Sequence, residues 1–380
     1  MFIYADNAAT TKLRRAARDA MLPYLDELYG NPSSLHRMGQ KAGAALFDAR
    51  EKMAAALGCK PSELTFTSGG SESDNQALLS AAKLGEKQGK RHIVSTAVEH
   101  HAVLRALRRL EAEGFDVTLL PVEPETGLVT PEQVADAIRA DTALVSVMYA
   151  NNEIGTIEPV REIGEVCREK GVLFHTDAVQ AVGHLPIDLA AEQIDLLSLS
   201  AHKFGGPKGT GALYARKGVA LTSLIEGGAQ ERGKRAGTEN VAGVVGMAAA
   251  LEEAAAALDA DAARLIPLRD KLIAGLRDIP RGVLNGDETR RLPGNVSFCF
   301  EGVDGESLLL LLDGKGVCAS SGSACTAGSL DPSHVLLAIG RSHAEALGSL
   351  RLSLGADTTE EEVGCLIEAV TDAVARLRGK

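Results

Sequence analysis

The sequence has few cysteines, no excess of positive charge and no long hydrophobic run. Six cysteines in 380 residues, with no Cys-x-x-Cys pair, exclude a disulfide-rich scaffold. The net charge of −11 argues against nucleic acid or an anionic membrane as the main partner. The longest strongly apolar run, Val241–Leu251, is far shorter than the roughly 20 residues of a membrane span, and the N-terminus shows no signal-peptide pattern. We therefore expect a cytoplasmic protein with reduced thiols that binds neither nucleic acid nor membranes directly.

The composition that is present, 45% hydrophobic and 24% charged residues, is that of a globular protein. Short apolar strands alternate with helical segments through the first half of the chain, which predicts a mostly parallel sheet covered by helices. The sequence becomes rich in alanine after about residue 241, and a second, smaller α/β domain is expected in the part of the chain that follows. We predict a large domain over 14–257 and a small domain made of 1–13 and 258–380. In the latter, leucines alternating with Arg351 and Ser353 predict a half-buried strand.

Two polar residues follow buried strands of the predicted sheet. Asp177 comes directly after one strand, and Lys203 follows the next strand along the chain. Because ligands collect at the carboxyl ends of parallel strands, both side chains are expected to face one cleft. A partly desolvated lysine can form an imine with a carbonyl, and pyridoxal phosphate (PLP) needs such a lysine together with a carboxylate on its ring nitrogen. Taken singly, a surface lysine and a helix-capping aspartate are the simpler interpretations.

Two segments of small residues suggest further functional positions. Thr67–Ser73 joins a strand to a helix, so its backbone N–H groups could bind phosphate, although a plain capping turn would look the same. Ala319–Ser329 contains no side chain larger than threonine, which predicts an exposed loop around Cys325. An accessible thiolate there could act as a nucleophile. A metal ligand is the alternative, but Cys318 and His334 fit no standard zinc spacing, and no resident metal is predicted.

These segments belong to a pattern that extends along the whole chain. It resembles the cysteine desulfurases of the NifS/IscS type, which are PLP enzymes of the aminotransferase class V group. The matching motifs are Ala5–Thr11, Gly30–Ser34, Thr67–Asn75, Asn151–Gly155, His175–Gln180, Ser200–Lys203, Arg235–Asn240 and Ser320–Cys325. The resemblance implies PLP-dependent transferase fold type I, with a large domain built on a mostly parallel mixed sheet and a smaller C-terminal α/β domain. The loop at about 316–331 and the short segment after it favour the NifS-like branch.

The resemblance also implies a role for each matched residue. Lys203 would bind the cofactor as an imine and move protons, Asp177 would pair with the ring nitrogen, and His100 would stack on the ring and assist proton transfer. Neighbouring His101 is the alternative that the residues alone leave open. The remaining cofactor contacts would be Gln180 at the ring hydroxyl, Asn152, and, at the phosphate, Gly70, Ser71, Ser200, His202 and Thr238. Thr238 would reach across from a partner subunit, which implies a homodimer. Arg351 and Asn152 would hold the substrate, with Arg351 on its α-carboxylate.

The implied activity is removal of sulfur from L-cysteine, giving L-alanine and a persulfide on Cys325. A sulfur-acceptor scaffold protein would then receive the sulfur for iron–sulfur clusters, those of nitrogenase included, or for another sulfur-transfer pathway. Cys325 could also serve as a transient iron–sulfur ligand. A selenocysteine lyase and a class V aminotransferase are the alternative enzymes. A sulfur or iron–sulfur carrier is the alternative without catalysis.

Overall fold

The computed structural model describes residues 2–322 and 332–379. The strands are β1 Ile3–Tyr4, β2 Leu64–Thr67, β3 His92–Thr96, β4 Asp116–Leu120, β5 Thr142–Ser146, β6 Leu173–Asp177, β7 Leu196–Ser200, β8 Gly211–Ala215, β9 Gly282–Leu284, β10 Asn295–Phe300, β11 Val317–Cys318 and β12 Ser349–Ser353. The helices are α1 Arg15–Leu25, α2 Arg37–Leu57, α3 Gly70–Glu86, α4 His101–Ala112, α5 Pro131–Ala137, α6 Val160–Lys170, α7 Val241–Arg277, α8 Gly305–Asp313, α9 His334–Ala338, α10 His343–Leu347 and α11 Glu360–Leu377.

Seven of these strands form a central sheet in the order β2-β8-β7-β6-β5-β3-β4. The pairs β4–β3, β3–β5, β5–β6 and β6–β7 are parallel, whereas β8 runs antiparallel to both of its neighbours. The strand β2 therefore runs in the same direction as β6 and β7. The sheet confirms the predicted mixed, mostly parallel α/β fold, and it brings the carboxyl ends of β2, β6 and β7 to the same edge.

Apolar side chains pack in separate clusters. One cluster fills the space between the central sheet and the helices α2, α6 and the first part of α7, and another lies under α3 and α4. A further cluster joins β10 and β12 to α8, α11 and the second part of α7, and it also contains Ile3 and Ala5 from the N-terminal segment. The division into two domains at position 258 stays a prediction. The helix α7 passes through that position without a break.

The helix α7, Val241–Arg277, is one continuous helix with Pro267 inside it. This helix is long and apolar enough to cross a membrane. Its length and composition are weak evidence for a membrane span, because the core helix of a soluble protein can have the same length and composition. Half of the apolar stretch of α7 is buried inside the protein, and α7 packs against α1, α2 and α11.

The strand β12 is more buried than its alternating pattern predicted. All five of its residues are buried, including the polar side chains Arg351 and Ser353. One side of β12 pairs with β10. The N-terminal segment covers it as well, since Ser353 Oγ accepts a hydrogen bond from the Ala8 backbone N–H at 2.8 Å. The prediction of a half-buried strand was wrong because a segment almost 350 residues away covers the polar face.

Candidate active site

Three strand ends meet at the edge of the central sheet where the site was predicted. The strand β2 leads into α3 at Gly70, β6 ends at Asp177, and β7 leads into the short 3-10 turn Ala201–Lys203. A Cβ placed on Gly70 would lie 2.5 Å from Val179 Cγ2, which shows how closely the start of α3 approaches the chain after β6. The segments that the sequence singled out separately therefore surround one space.

The start of α3 has the geometry of an anion-binding helix end. Gly69, the residue before the helix, has φ 153°. Because glycine has no side chain, it cannot cap the first N–H groups of α3. On β8, a Cβ placed on Gly211 would lie 2.6 Å from Gly69 Cα, so neither backbone could come this close with a larger residue. Gly70 is buried and Ser71 is exposed. Backbone N–H groups and the helix dipole make such an end suitable for a phosphate.

Lys203 lies half-buried at the end of the 3-10 turn. Its Nζ donates hydrogen bonds to the backbone oxygens of Ala8 at 2.6 Å and Ala9 at 2.8 Å. Lys208, the competing lysine on the following turn, is exposed. The amine that the sequence favoured is therefore the one held within the site, and the N-terminal segment holds it there.

Asp177 is 5% exposed at the end of β6. Burial raises the pKa of its carboxyl, while the nearby His100, the Val179 backbone N–H and Lys203 oppose that rise. The hydrogen bond from Val179 N to Asp177 Oδ1 is 2.9 Å long. Asp177 is thus a buried carboxylate with cationic neighbours, which is the environment that an ion pair with a ring nitrogen requires.

His100 caps the N-terminus of α4. Its Nδ1 accepts a hydrogen bond from Ala102 N at 3.1 Å, so in the neutral ring the proton is on Nε2. A polar atom of His100 lies within 4.8 Å of one on Asp177. The ring of His101 packs instead on His334, with the ring centroids 4.7 Å apart. Of the two histidines that the sequence offered, the structure places His100 beside Asp177.

The N-terminal segment covers two more of the predicted residues. Gln180 is buried and its Nε2 donates to the Ala8 oxygen at 3.0 Å. His202 Nδ1 lies 3.1 Å from Thr10 Oγ1. Burial, followed by the neighbouring Lys203, lowers the pKa of His202 to about 4, so this ring is neutral at pH 7. Ser200, also buried, lies close to the backbone before α3, because a Cβ on Gly69 would be 3.5 Å from its Oγ.

The predicted substrate residues Arg351 and Asn152 are in contact. Arg351 Nη1 donates to the Asn152 backbone oxygen at 3.1 Å, and Nη2 donates to Asp6 Oδ1 at 2.8 Å. Arg351 is only 2% exposed, and its Nε has no hydrogen-bond partner among the described residues. A guanidinium held in this way keeps further N–H donors, that of Nε among them, for an acceptor such as a carboxylate. Asp6 was not singled out from the sequence as a site residue.

Glu153 is a second buried group to which the sequence alone assigned no role. Its carboxylate accepts a hydrogen bond from Ser333 Oγ at 2.5 Å, and a Cβ on Gly322 would lie 2.8 Å from its Oε2. Burial raises the pKa of Glu153 to about 7, with Ser333, Arg351 and His100 opposing the rise. The available signal was an acidic residue between Asn152 and the apolar Ile154, inside the matched motif Asn151–Gly155.

A protein-family model described as Aminotransferase class-V matches residues 3–366. The chain belongs to this family. "Cysteine desulfurase IscS" of Methanosarcina thermophila is 53% identical over 376 residues, covering 99% of this chain and 93% of that protein. A solved structure named "NIFS-LIKE PROTEIN" superposes with a TM-score of 0.93 at 40% identity, covering 99% of this chain and 100% of that one. "SspA in complex with cysteine" superposes with a TM-score of 0.81 at 37% identity, covering 93% and 98%.

The class V membership confirms the resemblance and the implied fold. Enzymes of this family are PLP-dependent, and the described residues fit that group. The chain offers an amine at Lys203, a buried carboxylate at Asp177 and an uncovered helix N-terminus at Gly70. The space around Gly70 is so narrow that a Cβ at this position would require Val179 to shift.

The predicted residues also include Thr238 and Cys325. Thr238 is exposed, at the end of a segment that Arg235 attaches to the start of α3 by a 3.0 Å bond from its Nε to Glu72 Oε1. Cys325, the predicted nucleophile, lies outside the described residues. The other five cysteines are free thiols, and burial raises the pKa of Cys167 to about 12 and that of Cys299 to about 11.

Proposed function

We propose that this chain is a PLP-dependent cysteine desulfurase. The single observation that carries the proposal is the meeting of Lys203, Asp177 and the N-terminus of α3 at one edge of the sheet. The names of its class V relatives support the activity. One structural neighbour, named as a complex with cysteine, supports L-cysteine as the substrate.

We propose that the cofactor would be held at both of its ends. Asp177 would pair with the ring nitrogen, Gln180 would bond the ring hydroxyl, and His100 and Asn152 would contact the ring. When bound, PLP supplies a carbonyl carbon that an amine can attack and a ring that accepts electrons. The phosphate contacts would be Gly70, Ser71, Ser200 and His202, with Thr238 of a second copy.

The substrate would be oriented by Arg351 and Asn152. Arg351 donates to Asp6 and to the Asn152 oxygen, so the guanidinium is fixed before any substrate arrives, and an α-carboxylate needs no further ordering of this side chain. Lys203 Nζ would take the α-proton. His100 would hold or return a proton at Nε2, since its Nδ1 is occupied by Ala102 N.

We propose that Cys325 carries out the sulfur step. Its thiolate would attack the sulfur of L-cysteine, forming an S–S bond while the substrate's Cβ–S bond breaks. The substrate carbon skeleton would keep the electron pair, take up protons and leave as L-alanine. Cys325 would then hold one additional sulfur as a persulfide, which balances atoms and electrons without an external oxidant.

Alanine formation from L-cysteine tests this function. Lys203→Ala and Cys325→Ser should each abolish turnover, whereas Lys208→Ala and Cys365→Ser, which change an exposed lysine and a thiol on α11, should retain it. Turnover of Cys325→Ser at the parental rate would contradict the persulfide route. Preference for selenocysteine would indicate a lyase, and activity with an amino-acid/keto-acid pair would indicate an aminotransferase. A chain with no visible cofactor band would indicate a carrier.

A homodimer is part of the proposal. Thr238 is exposed, and so are several large apolar side chains that precede or lie on α1 and α2, namely Leu22, Leu25, Tyr29, Leu35 and Phe47. Exposed apolar side chains of this size, concentrated in one stretch of the chain, support a contact with another molecule. Light scattering of the full chain tests it, with a monomer as the contrary result. If Thr238 acts across the interface, Thr238→Ala should weaken PLP binding without changing the dimer.

We further propose that the sulfur passes to a scaffold protein for iron–sulfur clusters and that the enzyme is cytoplasmic. The name IscS of a relative with 53% identity supports the first point, and the free thiols support the second. The relatives carry both IscS and NifS-like names, so the NifS-like branch and a nitrogenase role stay predictions. Capture of acceptors by the Cys325 persulfide, with Cys325→Ser as the control, tests this assignment.

A further inference from the structure

Asp74 is a buried carboxyl group to which none of the roles above applies. It lies near the start of α3, is 1% exposed, and its Oδ1 has no hydrogen-bond partner among the described residues. Asp74, His100 and Asp177 each present a polar atom, and these atoms lie within 4.8 Å of one another. Asp74 therefore lies directly beside the residue that is to hold the ring nitrogen of the cofactor.

Within residues 2–322 and 332–379, no lysine or arginine forms an ion pair with Asp74. His175 Nε2 is 3.7 Å from Asp74 Oδ1, but both ring nitrogens of His175 already face hydroxyls, at 2.8 Å from Ser146 Oγ and 3.1 Å from Ser198 Oγ. Burial lowers the pKa of His175 to about 3, so this ring is neutral at pH 7. The nearby Ser198 hydroxyl, which opposes the rise in the pKa of Asp74, supplies a dipole and no net charge.

Both carboxyls lie near His100, but their remaining neighbours differ in charge. Asp177 faces His100 and Lys203, both of which favour its ionised form. Asp74 faces the carboxyls of Asp177 and Glu99, and burial followed by the Asp177 charge raises the pKa of Asp74 well above its usual range. Two neighbouring carboxyls in a dry site do not both ionise, so one proton remains on the member with the weaker cationic surroundings.

We propose that Asp74 and Asp177 form a one-proton pair in which Asp74 is the neutral acid and Asp177 carries the charge. Asp74 is thus a positioning residue: as an uncharged neighbour, it leaves Asp177 as the single anion opposite the ring nitrogen of the cofactor. This inference rests on the cofactor part of the proposed function. It does not depend on which amino acid is the substrate.

Direct binding of PLP to the cofactor-free, full-length chain, followed by absorbance, is the first test. Asp74→Asn replaces a neutral acid by a neutral amide of the same shape, so its PLP dissociation constant should stay within about threefold of the parental value. Asp177→Asn removes the charge itself and should weaken binding by about 30-fold or more. If Asp74→Asn weakened PLP binding as much as Asp177→Asn, Asp74 would be a second anion and the proposal would be wrong.

The pH dependence of unfolding is the second test, made on the PLP-loaded chain. A neutral acid buried in the folded state binds a proton that the unfolded chain releases above about pH 5, so stability falls as pH rises. The slope of the logarithm of the unfolding constant against pH counts the protons released on unfolding, and Asp74→Asn should lower this count by one. Asp74→Ser, which is smaller, should do the same if the Asn variant folds poorly.

Glu158→Gln is the matched control for this slope. Glu158 is a buried carboxyl whose pKa is raised to about 8 by burial, and it is not placed at the cofactor. The Glu158→Gln variant should also release one proton fewer on unfolding, and its PLP binding should be unchanged. An unaltered slope in both Asp74 variants, with the Glu158 change detected, would overturn the proposal. Alanine formation from L-cysteine is a separate readout, so failure of the proposed function remains distinguishable.

Discussion

The proposed active site has two ends, one for the cofactor and one for the substrate carboxylate, and they are built in different ways. The cofactor end uses residues at the carboxyl ends of adjacent strands, Asp177 on β6 and Lys203 after β7, with α3 beginning beside them. The carboxylate end is assembled from segments far apart in sequence: Arg351 on β12 contacts both Asp6 and the Asn152 backbone. The strand order of one sheet produces the first end, whereas packing between distant segments produces the second.

This difference determines how each end should respond to change. At the cofactor end, substitutions that alter a charge, a proton position or the space beside α3 should act on cofactor binding and on the chemical step. At the carboxylate end, substitutions should act on substrate affinity and on the packing of the segments that meet there. Four variants test this division, beginning with the one that should change activity most.

His100→Ala should have the largest effect and should act on kcat. Loss of a positioned proton-transfer group typically costs about 10²–10⁴-fold in rate. His101→Ala is the matched control, since the His101 ring packs on His334, and its kcat should stay within about threefold. Steady-state alanine formation measures both. Equal losses in the two variants would show that His100 has no special place at the cofactor end.

Arg351→Lys should act mainly on KM. Lysine keeps the charge but lacks the planar fork that bonds Asp6, the Asn152 oxygen and a carboxylate at once. Loss of one charged hydrogen bond of about 1.5–3 kcal/mol corresponds to a KM for L-cysteine that is roughly 10- to 150-fold higher. A loss confined to kcat would place Arg351 at the chemical step instead and would erase the division between the two ends.

Gly70→Ala should destabilise the start of α3. Its Cβ would lie 2.5 Å from Val179 Cγ2, and overpacking of this kind costs about 1–3 kcal/mol. Gly364→Ala on α11 is the control, because nothing lies within 4 Å of its Cβ position; it should stabilise the helix by about 0.5–1 kcal/mol. Denaturant unfolding measures both, and PLP binding should weaken only in the first. A neutral Gly70→Ala would contradict the close approach.

Glu153→Gln should have the smallest effect, visible as a change with pH. Burial raises the pKa of Glu153 to about 7, so its neutral form is favoured in the folded state and stability falls as pH rises from about 4.5 to 7. The Gln variant lacks this fall and should gain about 1–2 kcal/mol relative to the parent between pH 6 and 8. Thermal unfolding at several pH values measures it. A constant difference across that range would mean that Glu153 does not titrate there.

The same division explains how much the sequence could predict. Asp177 and Lys203 could be found because each follows an apolar strand, and parallel strands in one sheet end at the same edge. The resemblance to the family favoured His100, but the residues alone could not separate it from His101, since both follow β3 and only the direction of α4 distinguishes them. Arg351 was expected on a half-buried strand, because an alternating pattern says nothing of a distant segment that covers the polar face. The Glu153–Ser333 contact, across 180 positions, was unpredictable for the same reason.

The N-terminal segment has a consequence for the order in which the chain is made. Asp6 is synthesised 345 positions before its partner Arg351. Domains generally fold as they emerge, N-terminal parts first. The central sheet can therefore form while the carboxylate pocket still lacks a wall, and the oxygens of Ala8 and Ala9 can meet Lys203 before Asp6 has any arginine to bind. During synthesis, this chain's own residues proposed to hold the cofactor come together before those proposed to hold the substrate carboxylate.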